Sequence, residues 1–256
     1  MTAEALAEAG RLLAAATRPV VFTGAGMSAE SGVPTFRDAR TGLWQRYDPS
    51  RLATPAAFHA DPALVWGWYE GRRHGVRRAE PNPGHRAVAA IQARLPGTVV
   101  ITQNVDDLHE RGGVPGAVRL HGSLFAPRCS ACAHPAPVPD DAPPPEGPLD
   151  PPACVRCAAP VRPGVVWFGE ALPEEALGAA AEAASRCDLL LTVGTSALVH
   201  PAAEIPLVAA RLGAPVVQVN PEPTPLDAVC AVNLRGRAGD VLPALVRVAW
   251  PADAGD

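Results

Sequence analysis

Pro19-Val20-Val21-Phe22-Thr23-Gly24-Ala25-Gly26-Met27-Ser28-Ala29-Glu30 passes from a short apolar run into a glycine turn and then into helix-compatible residues. Five such residues read as a buried strand, with the glycines marking a tight turn at its end. A helix opening there presents free N–H groups and positive potential, which suits a phosphate at Gly24, Ala25, Gly26, Ser28, Ala29 and Glu30. A turn with no ligand is the alternative reading. The third glycine of the dinucleotide fingerprint is missing, and Ala29 stands in its place.

Outward from this stretch the same pattern repeats. Apolar runs at 98–102, 188–193 and 215–219 read as further buried strands, preceded by helical patterns at 85–95, 174–186 and 202–212; another helix is expected over 5–16. Strands alternating with helices predict an α/β fold, a Rossmann-like parallel sheet with helices on both faces. Gly194-Thr195-Ser196 and Asn220-Pro221-Glu222 fall at strand C-termini, where open parallel sheets bind ligands. Three such edges together favour a dinucleotide. Two stretches break the rhythm and predict a small second domain. Residues 41–83 read as a helical insert, and 126–163 as a metal-binding module. The sheet domain is then built from 1–40, 84–125 and 164–256.

Composition narrows the function classes. The 256 residues are 48% hydrophobic, enough for a sizeable core, and a net charge of -4 argues against a nucleic-acid binder with a broad basic surface. No Lys occurs anywhere; the basic side chains are all arginine. The N-terminus lacks a signal-peptide pattern and no apolar run is long enough to span a bilayer, so a cytoplasmic protein without membrane contact is expected.

Six cysteines in such a setting point to metal ligands rather than disulfides. Cys129-x-x-Cys132 and Cys154-x-x-Cys157, 21 residues apart, make two knuckles of a closed tetrahedral Zn²⁺ site of structural type. A redox dithiol pair is the rival reading. Cys187 and Cys230 read as small buried apolar residues.

Ordered motifs along nearly the whole chain resemble the sirtuin family. The stretch from Gly24 to Arg37 looks like that family's nucleotide motif. Thr102-Gln103-Asn104-Val105-Asp106-Asp107-Leu108-His109, Leu120-His121-Gly122-Ser123 and Val193-Gly194-Thr195-Ser196 follow in the family's order, with the cysteine pairs. The resemblance implies an NAD-dependent protein-lysine deacylase. In that reaction an acyl-lysine oxygen attacks the nicotinamide ribose, nicotinamide leaves, and the acyl group ends on ADP-ribose. It implies His121 as general base, a task that suits an imidazole with an ordinary pKa of ~6.5. It places Asn104 by the ribose and Asp106 at the carboxamide, with Gln103 beside them; a polar, Asx-capped turn is their bland reading. Phe36 and Arg37 resemble a loop covering the cofactor, and Ala238 is expected at the cofactor too. His59, His74, His85 and His109 read as structural or exposed.

Tyr69 and Arg72 stand three apart, on one helix face. With the following Glu80-Pro81-Asn82-Pro83-Gly84-His85 they resemble the sirtuins that remove succinyl, malonyl and glutaryl groups, in which an arginine fork and a phenol would hold an acyl carboxylate. A solvated Arg-rich helix is the plain alternative, and Gly71 weakens the helix. Val166, Trp167, Phe168 and Gly169, with Val199, look like segments flanking an acylated peptide, or else ordinary strand and loop. The expected partner is an acylated lysine in a protein or peptide, and the expected state a monomer. Two rivals use the same features: a mono-ADP-ribosyltransferase and a non-catalytic NAD- and zinc-binding sensor.

Overall fold

The computed structural model describes residues 2–34, 48–139 and 147–251. Phe36 and Arg37 lie outside the described residues. The helices are α1 Ala3–Ala15, α2 Gly26–Ala29, α3 Pro49–Leu52, α4 Pro55–Ala60, α5 Pro62–Arg78, α6 Pro83–Arg94, α7 Leu108–Arg111, α8 Glu174–Arg186, α9 Glu204–Arg211 and α10 Ala238–Ala249. The strands are β1 Pro19–Thr23, β2 Val99–Thr102, β3 Val118–Arg119, β4 Arg128–Cys129, β5 Val161–Arg162, β6 Leu189–Val193, β7 Val216–Val219 and β8 Val232–Leu234.

Six strands form one parallel sheet in the order β3-β2-β1-β6-β7-β8, the order of dinucleotide-binding α/β folds. The expected strands stand within a residue of their sequence bounds. The short strands β3 and β8, which carry no long apolar run, were not anticipated. Period-two alternation divides the sheet between two cores. Val21, Val100, Leu189, Leu191 and Val217 face one core with α1, α6 and α10. Val20, Phe22, Ile101, Leu190 and Val216 face the other with α8 and α9. Each buried aliphatic or phenyl side chain contributes ~1.5–3 kcal/mol.

Helices α4 and α5 pack Phe58, Val65, Trp68 and Tyr69 into a third apolar cluster, shared with Leu108, Leu124, Val165 and Trp167. Asp61 caps α5 by accepting the Leu64 N–H at 2.9 Å, and Pro62 supplies the first helical residue. The helix runs through Gly71 without a break. Gly67 has a packing reason: a Cβ there would lie 2.4 Å from the Gly147 carbonyl oxygen of the metal-binding module.

That module is held by an antiparallel pair, β4 with β5. Its two cysteine knuckles share one hydrogen-bond plan. Cys129 N–H donates to His134 O and Cys154 N–H to Ala159 O, both at 2.8 Å. The residue after each knuckle, Ala133 and Ala158, has a positive φ of 56° and 60°. That left-handed conformation costs a side-chain-bearing residue ~1–2 kcal/mol, so something must hold each turn in place. Cys187 and Cys230, expected to be buried, are only half-buried.

Candidate active site

The strand order reverses direction between β1 and β6, and there the two glycine turns meet. Gly24 N–H donates to Val193 O at 2.9 Å and Gly26 N–H to Gly194 O at 2.8 Å. A Cβ on Gly24 would sit 2.9 Å from Gly194 O, and one on Gly26 would sit 2.8 Å from the Gly194 Cα. These glycines are therefore required by turn-on-turn packing. The sequence alone read them as a tight turn, suited to a phosphate or without a ligand, and did not show what they pack against. The helix opened by the turn is a single turn, too short to add much dipole of its own.

A cavity of about 1070 Å³ opens at this crossing. Its lining brings together Gly24, Ala25, Gly26 and Ser28 from the first turn, Gln103, Asn104 and Asp106 after β2, and His121 after β3. From the far side it collects Gly194, Thr195 and Ser196 after β6, and Asn220, Pro221 and Glu222 after β7. Tyr69 and Arg72 of α5, Val166, Trp167, Phe168 and Gly169, and Val199 complete it. Ala29, Glu30 and Ala238 do not line it. Glu30 instead accepts the Gly239 N–H of α10 at 2.7 Å, and Ala238 is buried, its carbonyl packed against Gly84.

His121 is half-buried, and its Nδ1 lies 2.9 Å from Gln103 O. A carbonyl only accepts, so Nδ1 carries the proton and Nε2 keeps its lone pair. Burial holds the His121 pKa below 6.5, partly offset by that hydrogen bond. Gln103 also reaches across the crossing, donating from Nε2 to Thr195 Oγ1 at 3.0 Å.

Asp106 is 5% exposed and accepts the Leu108 N–H at 3.1 Å, an Asx turn leading into α7 in keeping with the polar-turn reading of this stretch. Burial raises its pKa, opposed by hydrogen bonds from Leu108 and Ser28 and by the charge of Arg119. Arg119 donates to Asp106 O at 2.6 Å while pairing with Glu110, which ties down the turn carrying Asn104 and Asp106.

Behind the site lies a polar network that sequence reading missed. Asn104 Nδ2 donates to Ser28 Oγ at 3.1 Å, and His85 Nε2 lies 3.4 Å from the same oxygen. Asn82 caps α6, accepting from Gly84 and His85, and donates to Met27 O at 2.8 Å. His109 Nε2 meets Thr23 Oγ1, which donates to Thr102 Oγ1 at 2.8 Å. Burial pushes His85 down to about 4 and His109 to about 3, so both rings are neutral. The Asn-Pro-Gly-His capping pattern was the available signal that His85 is anchored rather than exposed.

In the module, the four Sγ atoms of Cys129, Cys132, Cys154 and Cys157 lie within 4.8 Å of one another, three of the separations being 3.4, 3.5 and 3.8 Å. Four thiolates around Zn²⁺ at ~2.3 Å in a tetrahedron require S···S edges of ~3.8 Å. Backbone N–H groups of Ala131, Cys132 and Arg156 point at the sulfurs, as thiolates need. The donor set fits a closed structural zinc site with no position left for substrate.

Residues 24–201 match the Sir2 family. An NAD-dependent protein deacylase of Methylococcus capsulatus is 62% identical, covering 89% of this chain and 90% of that protein. A crystal structure of a Sir2 homolog–NAD complex superposes with a TM-score of 0.87 at 43% identity, covering 96% of this chain and 94% of that one. A Sir2 homologue mutant in complex with 2'-O-acetyl ADP-ribose also gives 0.87, at 42% identity over 99% of this chain and 98% of that one. With a β1/β6 crossing of this construction and matches across nearly its whole length, the chain belongs to the Sir2 family.

Proposed function

We propose that this protein is an NAD-dependent protein-lysine deacylase, a transferase that passes an acyl group from a lysine side chain to ADP-ribose with loss of nicotinamide. One observation carries the reading. A histidine of fixed tautomer shares a cavity at the sheet's crossing point with buried amide and carboxylate groups and with a Tyr–Arg recess. The 62% identical deacylase and the homologues solved with NAD and 2'-O-acetyl ADP-ribose support it.

NAD supplies the ribose carbon that is attacked and the hydroxyls that receive the acyl group. The residues of this chain bind, orient and move protons around it. Gly24, Ala25, Gly26 and Ser28, the 194–196 turn and the 220–222 turn hold the dinucleotide. Asn104 and Asp106 orient its nicotinamide end, and His121 Nε2 takes the proton of a ribose hydroxyl. Cys129, Cys132, Cys154 and Cys157 hold one structural Zn²⁺. An extended peptide adds as a strand between 166–169 and the loop at Val199, where Phe168 and Leu198 are exposed for it.

The pH dependence follows from His121. The base works unprotonated, so activity falls as pH drops through its pKa, and burial sets that pKa low. The acid limb of kcat/KM is expected to have its midpoint below 6.5. A midpoint clearly above 6.5 contradicts this environment for the base.

For the acyl group we favour acids such as succinyl and malonyl, with acetyl also accepted. Arg72 makes no close ion pair among the described residues, although the charge of Asp106 reaches it; its guanidinium carbon lies 5.1 Å from the Trp68 ring centroid, facing the cavity beside Tyr69. A half-buried cation with no carboxylate in hydrogen-bond contact gains from a ligand anion that completes it. Arg72→Met is expected to lower kcat/KM for a succinyl-lysine peptide about 10- to 100-fold, and that for an acetyl-lysine peptide by far less. Equal losses on the two peptides reject the acidic-acyl pocket.

A further inference from the structure

The Tyr69 hydroxyl is held from one side only. Trp167 Nε1–H donates to its oxygen at 3.0 Å, and an indole has no acceptor to offer in return. Among the described residues no acceptor takes the hydroxyl proton. Burial also pushes the phenol up to about 12, so the proton stays on oxygen throughout the working pH range.

The indole is itself clamped. The Arg162 guanidinium lies 3.5 Å from the Trp167 ring centroid and is almost completely buried. It donates to both Glu170 oxygens, at 2.5 and 2.9 Å, and to Val165 O at 3.1 Å. Glu170 closes the loop by accepting the Trp167 backbone N–H at 2.8 Å. Ring and backbone of Trp167 are thus fixed by one ion pair, a far more rigid mount than apolar packing alone would provide. None of these three groups is needed for the proton transfer at His121.

We infer that Arg162 and Glu170 are positioning residues for acyl selection: they hold Trp167 so that its N–H occupies the acceptor side of the Tyr69 hydroxyl and leaves the hydroxyl proton for an acceptor on the acyl group. Arg72 then supplies charge, and Tyr69 supplies one oriented donor. This inference rests on the acidic-acyl reading of the pocket. It adds that selectivity depends on a hydrogen bond to a residue 98 positions away.

The experiment compares succinyl-lysine and acetyl-lysine peptides on wild type, Trp167→Phe, Glu170→Gln, Tyr69→Phe, Arg72→Met and the Tyr69→Phe/Trp167→Phe double variant. Trp167→Phe keeps an aromatic ring and removes the donor. It is expected to lower the succinyl-to-acetyl ratio of kcat/KM about fivefold, carried by KM, because the contact binds ground and transition states alike. Glu170→Gln is expected to shift the same ratio about threefold in the same direction. In the Tyr69→Phe background Trp167→Phe should shift the ratio no further, since its partner oxygen is gone.

If Arg72→Met and Tyr69→Phe lose succinyl turnover selectively while Trp167→Phe leaves the ratio unchanged, or adds its full effect to Tyr69→Phe, the clamp is overturned and the acidic pocket stands. If Arg72→Met weakens both peptides equally, both ideas fall. Should Trp167→Phe not fold, judged by its melting transition, the Glu170→Gln and Tyr69→Phe pair with their double variant decides by the same non-additivity.

Discussion

His121→Ala is expected to lower NAD-dependent deacylation of an acyl-lysine peptide by about 10²- to 10⁴-fold, the contribution typical of one well-placed general base. The structure explains why no neighbour replaces it. Nδ1 is committed to Gln103 O, so a single basic nitrogen faces the cavity. Asp106, the nearest buried carboxylate by sequence, is committed to the Leu108 N–H and to Ser28. His85 and His109 lie buried on the far side of Ser28 and Thr23, with pKa values too low for proton uptake near neutrality. The loss should appear in kcat, while the Kd for NAD measured by calorimetry changes little, since the turns that grip the dinucleotide are formed by other segments. A variant that keeps more than a tenth of wild-type turnover rules out His121 as the base.

Metal removal is expected to have the largest effect on stability. Among the described residues, none of the three apolar clusters draws on 126–163, so no hydrophobic cluster is seen there to stand in for the zinc. Structural zinc in comparable small modules contributes roughly 10–16 kcal/mol of binding free energy that is also folding free energy. The module in turn braces the insert: Leu149 N–H donates to Ala63 O at 2.9 Å, and Arg77 donates to Pro139 O at 2.7 Å. Chelation, or Cys132→Ala, should therefore loosen α5 and the Tyr69–Arg72 pocket it carries. A chelator is expected to lower Tm by about 10 °C or more, at ~2–4 °C per kcal/mol for a chain of this size. Elemental analysis should find one zinc per chain. Unchanged melting after complete chelation contradicts a structural role.

Much of the molecule was legible because its signals are local. Val20, Val21 and Phe22 alternate between two cores, and an apolar run with no polar face announces that both faces are covered. The cysteine pairs declare their geometry through spacing alone. The roles of individual glycines were less legible. Gly24 and Gly26 read as a tight turn suited to a phosphate, but the space they vacate is filled by the backbone of Gly194, which only the pairing of β1 with β6 brings near. His109 gave no sign of burial, because a single histidine has no periodicity to betray its surroundings; His85 had only its place in the Asn82 capping pattern. Glu30, expected at the cofactor, accepts the Gly239 N–H at the N-terminus of α10, a contact between segments some two hundred positions apart.

By itself, then, with His121 marked as candidate base only through the family resemblance, the sequence determined the α/β alternation, the turns at the strand ends and the two metal knuckles. Each of these depends on side chains within a few positions of one another. Tertiary structure alone decided that the β1 and β6 turns touch, that Gln103 sets the tautomer of His121, and that Trp167 mounts the Tyr69 hydroxyl. The reason is physical: a parallel sheet joins its strands through long crossovers, so the groups that meet at its carboxyl edge come from segments whose local preferences carry no record of their neighbours.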